Sequence, residues 1–170
     1  MIKYETMLSE LYKGIDELYE ETTDYYRLWM RHVAQREVSR LNNGLKHKES
    51  TRYELRLELK TVGFGIYWYN VRFVKNGSRL VRLCKMIALP KSGQYTKANF
   101  KDATEWELNL ILNAEEQLGR VRKQLKHLVS AHTSVLLSSK ATGVKVKQIP
   151  ISKRVNKIDL TIQDIKKQLI

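Results

Sequence analysis

From Tyr4 the apolar residues recur at Leu8, Leu11, Ile15 and Leu18, then, after a polar step at Thr22, at Tyr25 and Trp29. Steps of three and four residues put them on one stripe of a helix, predicting an amphipathic helix over about residues 4–42. Asn42, Asn43 and Gly44, which tolerate a left-handed backbone, stop it. The period then changes from a helical to a strand repeat. Arg52 to Lys60 alternates polar and apolar without a fault, the signature of a half-buried strand. Gly63 and Gly65 supply a turn, and Ile66 to Lys75, rich in aromatic and β-branched residues, supplies a second strand. Asn76-Gly77 is a strong hairpin signal. A third strand runs from Arg79 to Leu89 and is closed by Pro90. Asp102, with Glu105 three positions on, offers a helix start. Trp106, Leu110, Ala114, Leu118, Val121, Leu125, Leu128, His132 and Val135 then keep helical spacing to about residue 138. Residues 139–157 look like a mobile basic linker, and Ile158 to Ile170 like a short amphipathic helix that docks or frays.

The expected class is α+β: a long N-terminal helix, a three-stranded antiparallel β-meander, a long second helix and a basic C-terminal tail with a short helix. Residues 1–44 form the first helix, 50–138 the sheet plus helix that would carry binding, and 139–170 the linker and tail. The two seams allow an antiparallel pair within the chain or a homodimer in which one helix meets its copy. A first helix of roughly 55 Å is longer than a sheet of ten-residue strands can cover, so part of it must find a helix.

Charge sharpens this picture. The chain has 170 residues and a net charge of +13. Residues 1–24 carry −5, residues 25–101 carry +13, residues 102–138 carry −1 and residues 139–170 carry +6. A surplus concentrated in this way suits a polyphosphate surface, because each phosphate contact releases a condensed counterion. The expected partner is double-stranded DNA. The single Cys excludes an internal disulfide, and the absence of a long apolar run excludes a transmembrane helix. The start of the chain has no apolar core of a signal peptide, so a cytoplasmic location with no membrane partner is expected.

A two-residue turn at Asn76-Gly77 would pair Val74 with Arg79, Arg72 with Val81, Asn70 with Leu83 and Trp68 with Lys85. The opposite face, with Tyr67, Tyr69, Val71, Phe73, Leu80, Cys84 and Met86, is nearly all apolar and is expected to pack on the second helix through Trp106 and Leu110. Trp68, Asn70, Arg72, Arg79 and Lys85 would then face outward as a groove-reading surface, since Arg grips guanine and Asn grips adenine. Arg27, Arg31, Lys75, Lys91 and Lys97 are the expected phosphate contacts.

The stretch IYWYNVRFVKNG, the basic strand RLVRLCKMIALPKSGQY and the segment KANFKDATEWELNLI leading into a charged helix resemble the MobI family of auxiliary conjugative-transfer proteins. The resemblance spans Ile66 to about Ala131. It implies action at the origin of transfer, where such proteins help a relaxase begin DNA processing without nicking the DNA themselves. The matching features are the aromatic and basic strand pair and the run Phe100, Trp106, Glu107 into the helix. The element order is also similar to that of double-stranded-RNA-binding domains, but Lys97 and Lys101 stand apart and are followed by Asp102, Glu105 and Glu107.

Catalysis is not expected. His127 and His132 are five apart and cannot chelate as an i, i+4 pair would, and no histidine cluster could hold a relaxase metal. Tyr25-Tyr26 resembles tandem nucleophilic tyrosines, yet Tyr25 continues the apolar seam. Cys84 reads as a small buried hydrophobe, Glu115 and Glu116 as solvated helix-flank carboxylates, and no phosphate-binding glycine loop is present. No metal or cofactor is expected. Besides a DNA-binding accessory, the pattern allows a coiled-coil adaptor for an acidic protein partner and an RNA-binding domain.

Overall fold

A computed structural model of the chain describes residues 1–44 and 50–170, so His47 lies outside the described residues. Helix α1 spans Tyr4–Asn42, and strands β1 (Tyr53–Leu59), β2 (Phe64–Asn76) and β3 (Arg79–Met86) form an antiparallel meander in the order β1-β2-β3. Helix α2 spans Glu105–Ala141, and a short helix, α3, spans Ile162–Leu169. The α+β class and element order are those the periodicity predicts. α1 ends where expected, with Asn43 capping and Gly44 at φ +76°. α2 begins later than expected: Thr104, not Asp102, is the N-cap, its hydroxyl accepting from the Glu107 N–H at 3.4 Å. Gly65 is not a turn residue but lies within β2, where the Tyr67 ring occupies the space that a Cβ would fill.

The two long helices run antiparallel. Tyr4 bonds to Ser138 at 2.9 Å, Tyr12 to His132 at 3.0 Å and Arg120 to Glu21 at 3.1 Å, while the Arg36 guanidinium stacks 4.2 Å from the Trp106 ring centre. These contacts use the seam within the chain: Ile15, Leu18, Trp29 and Val33 of α1 are buried with Leu118, Val121 and Leu125 of α2, and Tyr4, Leu8 and Tyr12 with Val135. Of the two arrangements, the antiparallel pair within the chain is the one the described residues form.

The sheet lies against the helix pair with Tyr53, Leu55, Phe64, Ile66 and Trp68 turned inward. This reverses the expected orientation. Trp68 is 0% exposed and meets Trp29 and Phe100 edge-on, with ring centres 5.7 Å away in each case. The cause is a buried polar network. The Trp68 indole N–H donates to Glu115 Oε1 at 2.8 Å, and the Tyr95 N–H donates to Glu115 Oε2 at 3.1 Å. Arg122 closes on the same carboxylate with two bonds of 2.9 Å and also donates from Nε to the Ile66 carbonyl. Glu115, expected to be solvated, is 1% exposed. Burial also pushes the Tyr95 hydroxyl up to about 12, and this hydroxyl donates to the Ile87 carbonyl at 2.9 Å.

The segment expected to be a mobile linker is fixed to the body. Ile151 is fully buried and its N–H reaches the Thr61 carbonyl at 3.0 Å. Arg154 lies over the Tyr12 ring, donates from Nε to both Asp16 oxygens at 3.1 Å and reaches the Val62 carbonyl at 3.0 Å. α3 starts with a reciprocal Thr161–Asp164 cap and docks on α1. There the buried Lys166 ammonium meets Glu37 at 2.9 Å. The docking requires both apolar burial at Ile165 and this charge pair, neither of which has a local sequence signature.

Removing the carboxylate by Glu115→Ala leaves the buried Arg122 charge unpaired, and should cost about 3–5 kcal/mol in urea unfolding. Glu116→Ala, on the exposed flank, should stay within about 0.5 kcal/mol. Burial, aided by the Arg154 charge, lowers the His132 pKa below its ordinary value. The folded state thus binds that proton less readily than the unfolded state. The contribution of His132 is fully present above about pH 6.5 and is lost as pH falls below it. Urea midpoints measured from about pH 7.5 to 5.5 should fall in the wild type and fall less in His132→Gln.

Candidate nucleic-acid interface

β2 has thirteen residues and β1 only seven, so β1 supports only part of it. The last β1 pair is Tyr53 with Asn70, and from there β2 pairs with β3 alone. Every residue from Arg72 to Leu83 is exposed. Sheet sterics and unequal strand lengths thereby produce a two-stranded ribbon standing about 15–20 Å beyond the body. Its loop is Gly77-Ser78, with Gly77 at φ +65°, the first position of a type II′ turn.

The observed register joins Asn76 to Arg79, Val74 to Val81, Arg72 to Leu83 and Asn70 to Lys85. It is displaced by two residues from the expected pairing because Asn76 closes the strand and does not enter the loop. An even displacement preserves side-chain parity, so the membership of each face is as expected while the inward face is the other one. Trp68 is therefore removed from the candidate DNA contacts. Asn70 is half-buried at the ribbon root, and Arg72, Arg79 and Lys85 project from the exposed part of the helix-side face. Lys75 lies on the ribbon's other face, opposite Leu80. Arg27 and Arg31 are exposed on α1, and Lys91 and Lys97 on the β3–α2 connection. The structure does not bring these four onto the ribbon.

Arg82 completes the ribbon and was not singled out by sequence. It faces Phe73, donates to Glu54 at 2.7 Å and contacts Cys84 Sγ at 2.8 Å. Cys84 is half-buried on the outer face, not a core residue. Burial disfavours the Glu54 carboxylate, but hydrogen bonds from Arg56 and Arg82 outweigh it and hold its pKa below the ordinary value. Across the ribbon each cation faces an apolar or amide residue: Arg72 with Leu83, Lys75 with Leu80, Arg79 with Asn76, Arg82 with Phe73 and Lys85 with Asn70. No two cations oppose one another. The sequence has no acidic residue between Glu58 and Asp102, and the carboxylate that meets the ribbon, Glu54, comes from β1 and pairs with Arg82. It also exposes apolar side chains, Phe73 at 48% and Leu80 at 63% among them.

Among the described residues, no cluster of His, Cys, Asp and Glu is arranged to hold a metal, and no helix is long and apolar enough to cross a membrane. The geometry defines a class: an α+β body that presents a basic, partly apolar two-stranded ribbon. The family model described as MobI protein matches residues 17–136, well over half of the chain, and the chain belongs to the MobI family. Membership carries an accessory function in conjugative transfer. Comparison with curated proteins and with solved structures gives no match.

Proposed function

We propose that the protein binds double-stranded DNA at the origin of transfer through the β2–β3 ribbon and there helps the relaxase begin DNA processing. The carrying observation is the exposed ribbon from Arg72 to Leu83, whose cations face apolar or amide partners and whose surrounding sequence holds no acid. A two-stranded ribbon is narrow enough for a DNA groove, where Arg reads base edges and Lys holds phosphates. Exposed Phe73, Val74 and Leu80 are side chains of the kind that wedge between base steps. The role is one of binding and positioning, not covalent chemistry.

Lys75→Gln with Arg79→Gln tests this at the exposed end of the ribbon, away from the core. The double variant should keep the wild-type unfolding midpoint. On a duplex carrying the transfer origin it should bind more weakly, with a salt slope shallower by about two. Wild-type affinity and slope in the folded variant would overturn the ribbon assignment. Retention of an acidic protein, with no retained DNA at low salt, would favour the adaptor instead.

A further inference from the structure

A second basic feature lies where the end of α1 meets the start of α2. His32, Gln35, Arg36, Ser39, Arg40 and Trp106 line an open cleft of about 560 Å³. His32, Arg36 and Arg40 follow one another at four-residue steps, so they stack along one face of α1. Like charges at this spacing destabilise a helix unless something offsets them. Among the described residues, no carboxylate lines the cleft. Glu37, on the same helix, is already held by Lys166 and by the Ser50 N–H. Glu107, next to Trp106, is occupied by the N–H groups of Arg52 and Tyr53.

The arginines themselves supply a second observation. Nε of Arg36 and Nε of Arg40 are both buried, and neither has a hydrogen-bond partner among the described residues. A buried N–H donor without an acceptor is costly, and two in one cleft of a single sign point to an anion. The Arg36 guanidinium carbon lies over the Trp106 ring, 4.2 Å from its centre. Stacking uses the face of the guanidinium and leaves its in-plane N–H edge for an acceptor. That edge, with two donors in a fixed fork, matches the oxygens of a phosphate.

We infer that this cleft binds a phosphate group through the guanidinium groups of Arg36 and Arg40, with His32, Gln35 and Ser39 as further hydrogen-bonding groups around it. Tyr53, which shares Glu107 with the cleft's side of α2, is the β1 partner of Asn70 at the ribbon root. The cleft therefore opens at the end of the sheet from which the ribbon departs. The inference goes beyond the ribbon reading and does not rest on it.

The test uses the full chain and inorganic phosphate, titrated against chloride at fixed ionic strength, with tryptophan fluorescence and the thermal midpoint as readouts. Phosphate should give a saturable response that chloride does not. Arg36→Lys with Arg40→Lys keeps the charge but removes both Nε donors, and should weaken binding by roughly tenfold. Arg40→Lys alone leaves the stack on Trp106 intact and should weaken it by a smaller factor. Lys123→Gln with Lys126→Gln, at exposed cations farther along α2, should bind phosphate as the wild type does. No response beyond that of chloride, or full binding by the folded Lys variants, would overturn the site. Duplexes with and without 5′-terminal phosphates then identify the source. Loss of affinity by the Lys variants on both duplexes assigns a backbone phosphodiester, loss only on the phosphorylated duplex assigns a strand terminus, and loss on neither assigns a phosphate-bearing small molecule.

Discussion

Glu115 sits in the first third of α2, almost wholly removed from solvent, and accepts from the Trp68 indole, the Tyr95 N–H and both arms of the Arg122 guanidinium. A buried carboxylate is tolerated only when its charge and lone pairs are satisfied, and this one joins β2, the β3–α2 connection and α2 itself. With Trp68 committed to it, every even-numbered residue of β2 in the supported part of the sheet must point at the helices. Alternation then fixes the outward positions of Tyr67 and Tyr69 without further choice.

The ribbon follows from that constraint and from a mismatch of lengths. β2 stays buried or half-buried as far as Val71, and β1 pairs with it only as far as Asn70. Beyond these points the strand pair has neither a third strand nor a helix to pack on. Such a ribbon is marginal in isolation. It is held here by its continuation into a satisfied sheet and by Arg82, which ties its outer face to Glu54 on β1. The body internalises charge in the pairs Glu115–Arg122, Glu37–Lys166 and Asp16–Arg154, while the projection exposes Arg72, Lys75, Arg79 and Lys85 and ties Arg82 to Glu54.

Much of this fold was legible in the sequence, because its elements are long and regular. The steps from Tyr4 to Trp29 and from Trp106 to Val135 mark the helices, and the alternation from Arg52 to Lys60 marks a strand. The inward face was not legible. An aromatic and cationic strand face reads as a surface when its indole has no visible partner, and Glu115 is forty-seven residues away from Trp68. Nor was the tail, since Arg154 and Lys166 find Asp16 and Glu37 across more than a hundred residues. Of the candidate site, the cations at 72, 75, 79 and 85 were found from charge and hairpin chemistry. Arg82 was missed because its face of the third strand, with Leu80, Cys84 and Met86, was read as nearly all apolar. The arginines at 36 and 40 fall in the basic block of residues 25–101, but the meeting of Arg36 with Trp106 depends on how α1 and α2 pack.

The central claim is that the ribbon, and not the face bearing Trp68, meets DNA. Nitrogen–proton NMR of the full chain, recorded as duplex DNA is added, tests it directly. The account predicts that shifts concentrate at the amides of residues 72–83 and at their arginine side chains, while the Trp68 indole signal stays in place. Shifts at the Trp68 indole or along Phe64–Trp68 with a silent ribbon would contradict it.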